Sequence, residues 1–251
     1  MMRYVLAIAF RDFRIRLSNP VLPLWDVLVP VVYLLVFGSS LERWIGSGGA
    51  GLDYPRFLLA GVLSMVSFGI VFNSSYAFFE DLQGGIFHEM LTYPFARWEM
   101  LLGKLLFNAV FSVLGAGVCL VAGFAILRIG VVPSAWIPVA FWSVVGTAGW
   151  YFLFTWLALN LRGFNAYHTT TSALYLVLMF ISNLFYPTRQ LPTAVRWLAW
   201  ANPVTWQTDL LRYYTYPAAD LQHLPIETAA FVGFVLASFW LANRKLNGTI
   251  E

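Results

Sequence analysis

Residues 81–104 read DLQGGIFHEMLTYPFARWEMLLGK. They form the most polar stretch in the first half of a very apolar chain and lie between two long hydrophobic runs. Gly84 and Gly85 open the stretch, where the backbone can take angles that other residues avoid. Ile86, Phe87, Met90 and Leu91 then share one face of a helix. Pro94 disfavours helix at Tyr93 and ends the element. A plain connection between two helices needs about two to eight residues, and more than twenty separate these two runs. The stretch therefore reads as an element in its own right, a helix of one or two turns inside a loop over 84–97.

The flanking runs set the class. Of 251 residues, 60% are hydrophobic, 18% aromatic and 11% charged, where ordinary globular domains carry about 25% charged residues. The charges gather in short clusters between uncharged runs, and runs of about 18 or more apolar residues are long enough to cross a bilayer as helices. The expected fold class is an all-α integral membrane protein, a single transmembrane domain over 1–251. Its six spans fall near 21–38, 57–79, 103–127, 136–160, 168–187 and 226–242. A formal net charge of +3 suggests no nucleic-acid partner. Cys119 stands alone inside an apolar run and reads as a small apolar side chain. The N-terminus, MMRYVLAIAFRDFR, has neither the apolar length nor the small-residue cleavage site of a signal peptide.

Residues 2–19 form an expected interface helix. Leu6, Phe10, Phe13 and Leu17 follow 4-3-4 spacing on one face, with Arg3 and Arg14 beside it; Arg11 and Asp12 point further round, and Val5 and Ile8 lie opposite. A basic helix of this kind lies among headgroups, with membrane lipids as its partner; a plain positive flank to the first span is the alternative. Within that span Pro30 removes a backbone bond and is expected to kink it. Asp26 lies near its cytosolic end, either as an interface residue with a basic partner or with a role in transport. Residues 39–56, with Gly46, Gly48, Gly49 and Gly51, read as a loop. The fifth span opens on Thr169, Thr170, Thr171 and Ser172, hydroxyls that bond across helices or back onto carbonyls.

Residues 188–225 are long and semi-polar. Leu191, Val195 and Leu198 mark one short helix, and Leu210, Leu211, Tyr213 and Tyr214 mark a second. Between them Asn202-Pro203 reads as a helix start, Asn as N-cap and Pro at the first helical position. The pair suggests a re-entrant or interfacial helical hairpin, with Trp197, Trp200 and Trp206 suited to an interfacial belt. With six spans and the N-terminus inside, nine Lys and Arg fall in cytosolic segments and six outside. Both termini are therefore expected in the cytosol.

No catalytic constellation stands out. A P-loop needs G-x-x-x-x-G-K-[ST], but Trp98 stands five residues before Gly103, and Leu105 follows Lys104. The chain cannot hydrolyse ATP by itself. It has no G-x-S-x-G elbow, and His88, His168 and His223 lack paired metal-ligand spacing. Asp26 and Glu227 both lie near span ends, and no internal repeat is visible, which argues against an ion-coupled secondary transporter. That reading and a membrane enzyme or assembly factor are the alternatives. The short helix in 84–97, with its apolar residues turned outward into a partner's groove, would couple a soluble protein's motion to two spans at once.

Two motifs carry a resemblance. Asp81, Gly85, Pro94, Arg97 and Leu101–Lys104 are similar to the cytosolic loop of type 2 ABC exporter permeases, a group that includes drug, polysaccharide and lipo-oligosaccharide exporters. Leu191-Pro192, Asn202-Pro203 and Asp209 with Arg212 are similar to that family's signature before its last span. Many members carry Glu where His88 stands, and Thr where Tyr93 precedes the proline. The resemblance covers essentially the whole chain in span order. It implies a permease that dimerises and recruits two copies of a separate ATPase, which would bind ATP and magnesium, so that this chain carries no cofactor. It implies that Gly85, Ile86, Phe87, His88, Glu89, Met90, Leu91, Tyr93, Pro94 and Arg97 make the coupling element. It also implies that Phe10, Phe13 and Arg14 belong to the interface helix, and that the 188–215 hairpin caps a path lined by the first and fifth spans of opposing protomers. The expected setting is a bacterial or archaeal cytoplasmic membrane, and the cargo amphipathic or lipid-linked, because uncharged spans offer no counter-ion for a strongly charged one.

Overall fold

The organising element is a helix that is apolar all round. A computed structural model describes residues 2–46, 53–90, 92, 96–188, 191–216, 221 and 223–248. In it α3 (Tyr54–Gln83) is buried along nearly its whole length, as a helix without a polar face must be. Its start is set by Asp53, whose side chain accepts a hydrogen bond from the Arg56 N–H at 3.2 Å. Around it pack α2 (Val21–Gly46), α5 (Arg97–Leu127), α6 (Trp136–Asn160) and α9 (Pro203–Thr215). α1 (Met2–Ser18) lies on α5, and α10 (Leu224–Gly248) lies on α6 and α9. Three shorter helices complete the set: α4 (Ile86–Met90), α7 (Phe164–Phe180) and α8 (Thr193–Trp200). No strand occurs among the described residues.

Five of these helices are long and apolar enough to cross a membrane: α2, α3, α5, α6 and α10. The fifth expected span differs. α7 begins at Phe164 rather than 168 and stops at Phe180, where side chains take over the backbone's hydrogen bonds. The Ser182 hydroxyl donates to the Met179 carbonyl at 2.7 Å and accepts from the Leu184 N–H at 3.2 Å. At 17 residues α7 is about 25 Å long. The segment nevertheless runs antiparallel to α3 for its full length. Tyr167 stacks on Phe79 at 4.4 Å, and the Tyr54 hydroxyl donates to the Phe185 carbonyl at 3.0 Å at the far end.

Other boundaries shift. α2 passes through Pro30 and continues to Gly46, so residues 39–46, expected as loop, are helical; the Ser39 hydroxyl bonds back to the Leu35 carbonyl at 2.6 Å. Gly48, Gly49 and Gly51 lie outside the described residues. α5 starts at Arg97, so the stretch from Arg97 to Gly103 belongs to a long helix rather than to a loop. The break at Asn202-Pro203 is as expected: the Asn202 side chain accepts from the Val204 N–H at 2.9 Å and caps α9.

Close approach and buried hydroxyls together fix the core. A Cβ on Gly61 would sit 3.0 Å from the carbonyl carbon of Leu184, and one on Gly146 would run into the Gln207 side chain. Ser67 of α3, Ser112 of α5 and the Ser143 carbonyl of α6 meet at 3.1 and 3.3 Å. These three helices are thus joined by hydroxyls where their backbones come near.

Candidate functional site

The loop after α3 turns at Gly85, whose φ of 80° places it in the left-handed region that glycine enters without strain. α4 follows, one short turn closed by the Glu89 N–H donating to the Gly85 carbonyl at 3.0 Å. Its apolar residues do not all face outward as expected. Phe87 is fully buried, edge-on to Phe78 of α3 at 5.9 Å, and Met90 packs against the same core. Burying a Phe ring is worth about 1.5–3 kcal/mol, which helps to dock so short a turn on α3. Ile86 is 41% exposed, and Glu89 is exposed as well. Leu91, Tyr93 and Pro94 lie outside the described residues, as do the side chains of His88 and Arg97.

Beside α4, four charges from three helices form one network. Asp81, on the last turns of α3, takes Arg11 of α1 through both oxygens at 2.9 and 3.1 Å. It also takes Lys104 of α5 at 2.8 Å. Lys104 reaches Asp12 at 3.1 Å, and Arg11 reaches Asp12 at 3.0 Å. Hydrogen bonding to Asp81, opposed by burial, raises the Arg11 pKa above its ordinary value. Two cations meet two carboxylates, so the network is neutral, and Lys104 is only 4% exposed. The network borders a cavity of about 220 Å³ whose wall includes Asn108 and Tyr151. Among the described residues, the Asn108 Oδ1 has no hydrogen-bond partner.

α1 reaches this position with a different face from the one its spacing picks out. Ile8 is buried, and a Cβ on Gly103 would lie 2.9 Å from the Val5 carbonyl oxygen, so α1 and α5 nearly touch. Leu6, Phe10 and Leu17 point away from the protein and are exposed. Phe13 sits between, 5.6 Å from the Phe111 ring, and Arg14 is exposed.

A second charged contact lies further into the bundle. Asp26 of α2 pairs with Arg16 of α1, both buried, and accepts from the Asn73 side chain of α3 at 2.5 Å. The basic partner expected for Asp26 is thus Arg16. Asp26 and Asn73 line a cavity of about 180 Å³ between α2, α3 and α7, with Trp25, Phe72 and Tyr175 as aromatic walls.

At the opposite end of α3, α9 carries the third cluster. Asp209 pairs with Arg212 one turn on at 2.5 Å and accepts from the Asn183 side chain at 2.8 Å. Arg212 also donates to the Asn183 carbonyl at 3.0 Å and lies over the Phe57 ring at 3.9 Å. Thr208 donates to Ser64 of α3 at 2.9 Å, and Gln207 accepts from the Trp150 indole of α6 at 2.8 Å. These residues brace α9 against α3, α6 and the turn after α7. Asn202 adds a bond to the Leu178 carbonyl at 2.6 Å. Leu191 and Pro192 stand just before α8, with Leu191 N–H bonded to the Thr188 carbonyl at 3.1 Å.

Among the described residues, no three His, Cys, Asp or Glu side chains converge to hold a metal. The profile of the ABC-2 type transporter family matches residues 3–216, from α1 through α9. A Nodulation protein J of Rhizobium leguminosarum bv. trifolii is 26% identical over 228 residues, 86% of this chain and 82% of the relative. A second Nodulation protein J, from Rhizobium leguminosarum bv. viciae, is 26% identical over 186 residues, 73% of this chain and 70% of the relative.

Proposed function

The chain belongs to the ABC-2 type transporter family, and on that footing we propose that it is the permease subunit of an ATP-driven exporter. It would move an amphipathic or lipid-linked cargo, a drug, lipid or glycan, out of the cytosol or its membrane leaflet. The observation that carries this reading is the family match across both the α3–α5 connection and the α8–α9 pair, in a chain without a P-loop. The motor is therefore a separate ATPase subunit, in two copies, holding the ATP and magnesium. The permease pairs with a second copy of itself in a bacterial or archaeal cytoplasmic membrane.

In this arrangement both termini and α4 face the cytosol, and the 164–185 segment makes the sixth crossing, since it runs the length of α3. α4 is the coupling helix, with Phe87 as its anchor and Ile86 and Glu89 as the face turned to the ATPase. α8 and α9 form the re-entrant hairpin on the outer side, held by Asp209, Arg212 and Asn183. The cargo path runs past the cavity between α2, α3 and α7.

The test is reconstitution with the ATPase and measurement of ATP hydrolysis across a panel of drugs, lipids and lipid-linked glycans. Stimulation by at least one amphipathic compound is expected. If the chain alone moved solute along an ion gradient, the permease would be an ion-coupled carrier; if no amphipathic compound stimulated hydrolysis, the proposed cargo class would be wrong.

A further inference from the structure

The ionic network beside α4 and the polar edge of the α2–α3–α7 cavity are joined by one helix. Arg11 and Asp12 of α1 enter the network through Asp81 and Lys104. Arg16, on the same helix, pairs with Asp26 on the cavity wall. We infer that α1 is a rigid link between coupling helix and cavity, with Asp81 and Arg16 as positioning residues for transport. This rests on the permease reading above.

The coupling end is defined by a single stretch of α3. Phe78 holds Phe87 of α4, and Asp81, three residues on, holds Arg11 and Lys104. A push on α4 is therefore delivered where α1 is tied down. The tie is stiff because its members are largely out of water, where separating one partner strands a charge. From Arg11 to Arg16 is about 7.5 Å of helix rise, short enough for α1 to move as one body. At the far end, the two Asp26 oxygens answer to different helices: one takes Arg16 of α1 and the other takes Asn73 of α3. With Arg11 held on Asp81, a tilt of α1 about that tie must change where the Asp26 carboxylate sits relative to Asn73, and both line the cavity. A pair that merely anchored α1 would not need this second oxygen on a helix of the cavity wall.

The test uses the complex of permease and ATPase in proteoliposomes. Val29, which lines the cavity, is replaced by Cys in a Cys119→Ala background, and the rate of its labelling by N-ethylmaleimide is compared with and without ATP and vanadate. In the otherwise unaltered permease, nucleotide trapping is expected to change the rate by about fivefold or more, the low end of ordinary coupling between sites. The double variant Arg16→Met, Asp26→Leu exchanges the buried pair for apolar side chains, a change that usually leaves a fold intact. It should still co-purify with the ATPase but lose the nucleotide response. The charge-swapped variant Arg16→Asp, Asp26→Arg and the conservative Arg16→Lys should regain most of it. Asp81→Asn should also lose the response. A response that survives in the apolar double variant overturns the inference, as does no response in the unaltered permease bound to a working ATPase. If no ATPase binds or hydrolyses ATP with the unaltered chain, the permease reading itself falls, and this inference falls with it.

Discussion

Phe87 and Ile86 are adjacent on α4 and should behave as opposites. Phe87 is fully buried and Ile86 is 41% exposed. Replacing a core Phe by Ala typically costs 3–5 kcal/mol. α4 is five residues long and can settle back after truncation, so the lower end applies, about 3 kcal/mol. At about 1.4 kcal/mol per tenfold, this lowers the ratio of docked to undocked α4 by roughly a hundredfold. Ile86→Ser and Glu89→Lys touch exposed positions and should change stability by no more than about 0.5 kcal/mol. Hydrogen exchange over residues 84–92 reads the docking directly, because an element that opens locally exchanges faster than its surroundings. Phe87→Ala should accelerate exchange there while leaving α3 and α6 protected; Ile86→Ser and Glu89→Lys should leave exchange unchanged. On the permease reading all three should weaken ATP-driven transport, the first by releasing α4 and the others by spoiling its outer face. If Phe87→Ala left exchange unaltered, or Ile86→Ser accelerated it as much, the assignment of inner and outer faces would be wrong.

Two further outcomes test the core. Gly61→Val should lower the thermal midpoint in detergent, with a cost of about 1–3 kcal/mol from overpacking, because its Cβ meets the Leu184 backbone rather than a flexible side chain; an unchanged midpoint would mean that the turn after α7 does not press on α3. Asp209→Leu should destabilise by about 3–5 kcal/mol by leaving Arg212 buried without its partner, and adding Arg212→Met should recover most of that loss. If the double variant were as unstable as the single, the two side chains would not act as a pair.

How much of this was legible in the sequence depended on whether the deciding partner was near in the chain. The uncharged run 57–79 marks the middle of α3, and Asn202-Pro203 marks the start of α9, because both are local signals. Asp209 and Arg212, at i and i+3, could have been paired from spacing alone. The Asp81–Arg11 contact could not: 70 residues separate its ends, and no spacing rule reaches that far. Phe87 shows a subtler limit. Its helical face was readable, but periodicity does not say whether a face turns toward the protein or away, and Phe78 decided that. On α1 the apolar spacing of Leu6, Phe10 and Leu17 found the exposed side, while packing chose Val5 and Ile8 because Gly103 lets the backbones approach. α2 outran its apolar run because polar residues after Gly38 do not end a helix. A glycine inside one costs only about 1 kcal/mol.

Around α3 the packing mixes buried hydroxyls with aromatic rings. α3, α5 and α6 share serine hydroxyl contacts, and separating them would expose buried donors and acceptors; Phe68 of α3 also packs on Trp150 of α6 at 4.3 Å. α7 meets α3 through rings, Tyr167 on Phe79 and Tyr175 against Phe68 and Phe72 at 4.8 Å each, and through the Tyr76 hydroxyl, 3.1 Å from that of Thr171. Long aromatic side chains hold the two backbones apart, and the cavity bordered by Phe72, Tyr175, Asp26 and Asn73 lies in the space they keep. The cavity wall and the ionic tie meet at one residue: Asp26, on α2, holds Arg16 of α1 on one side and faces Tyr175 of α7 across the cavity on the other.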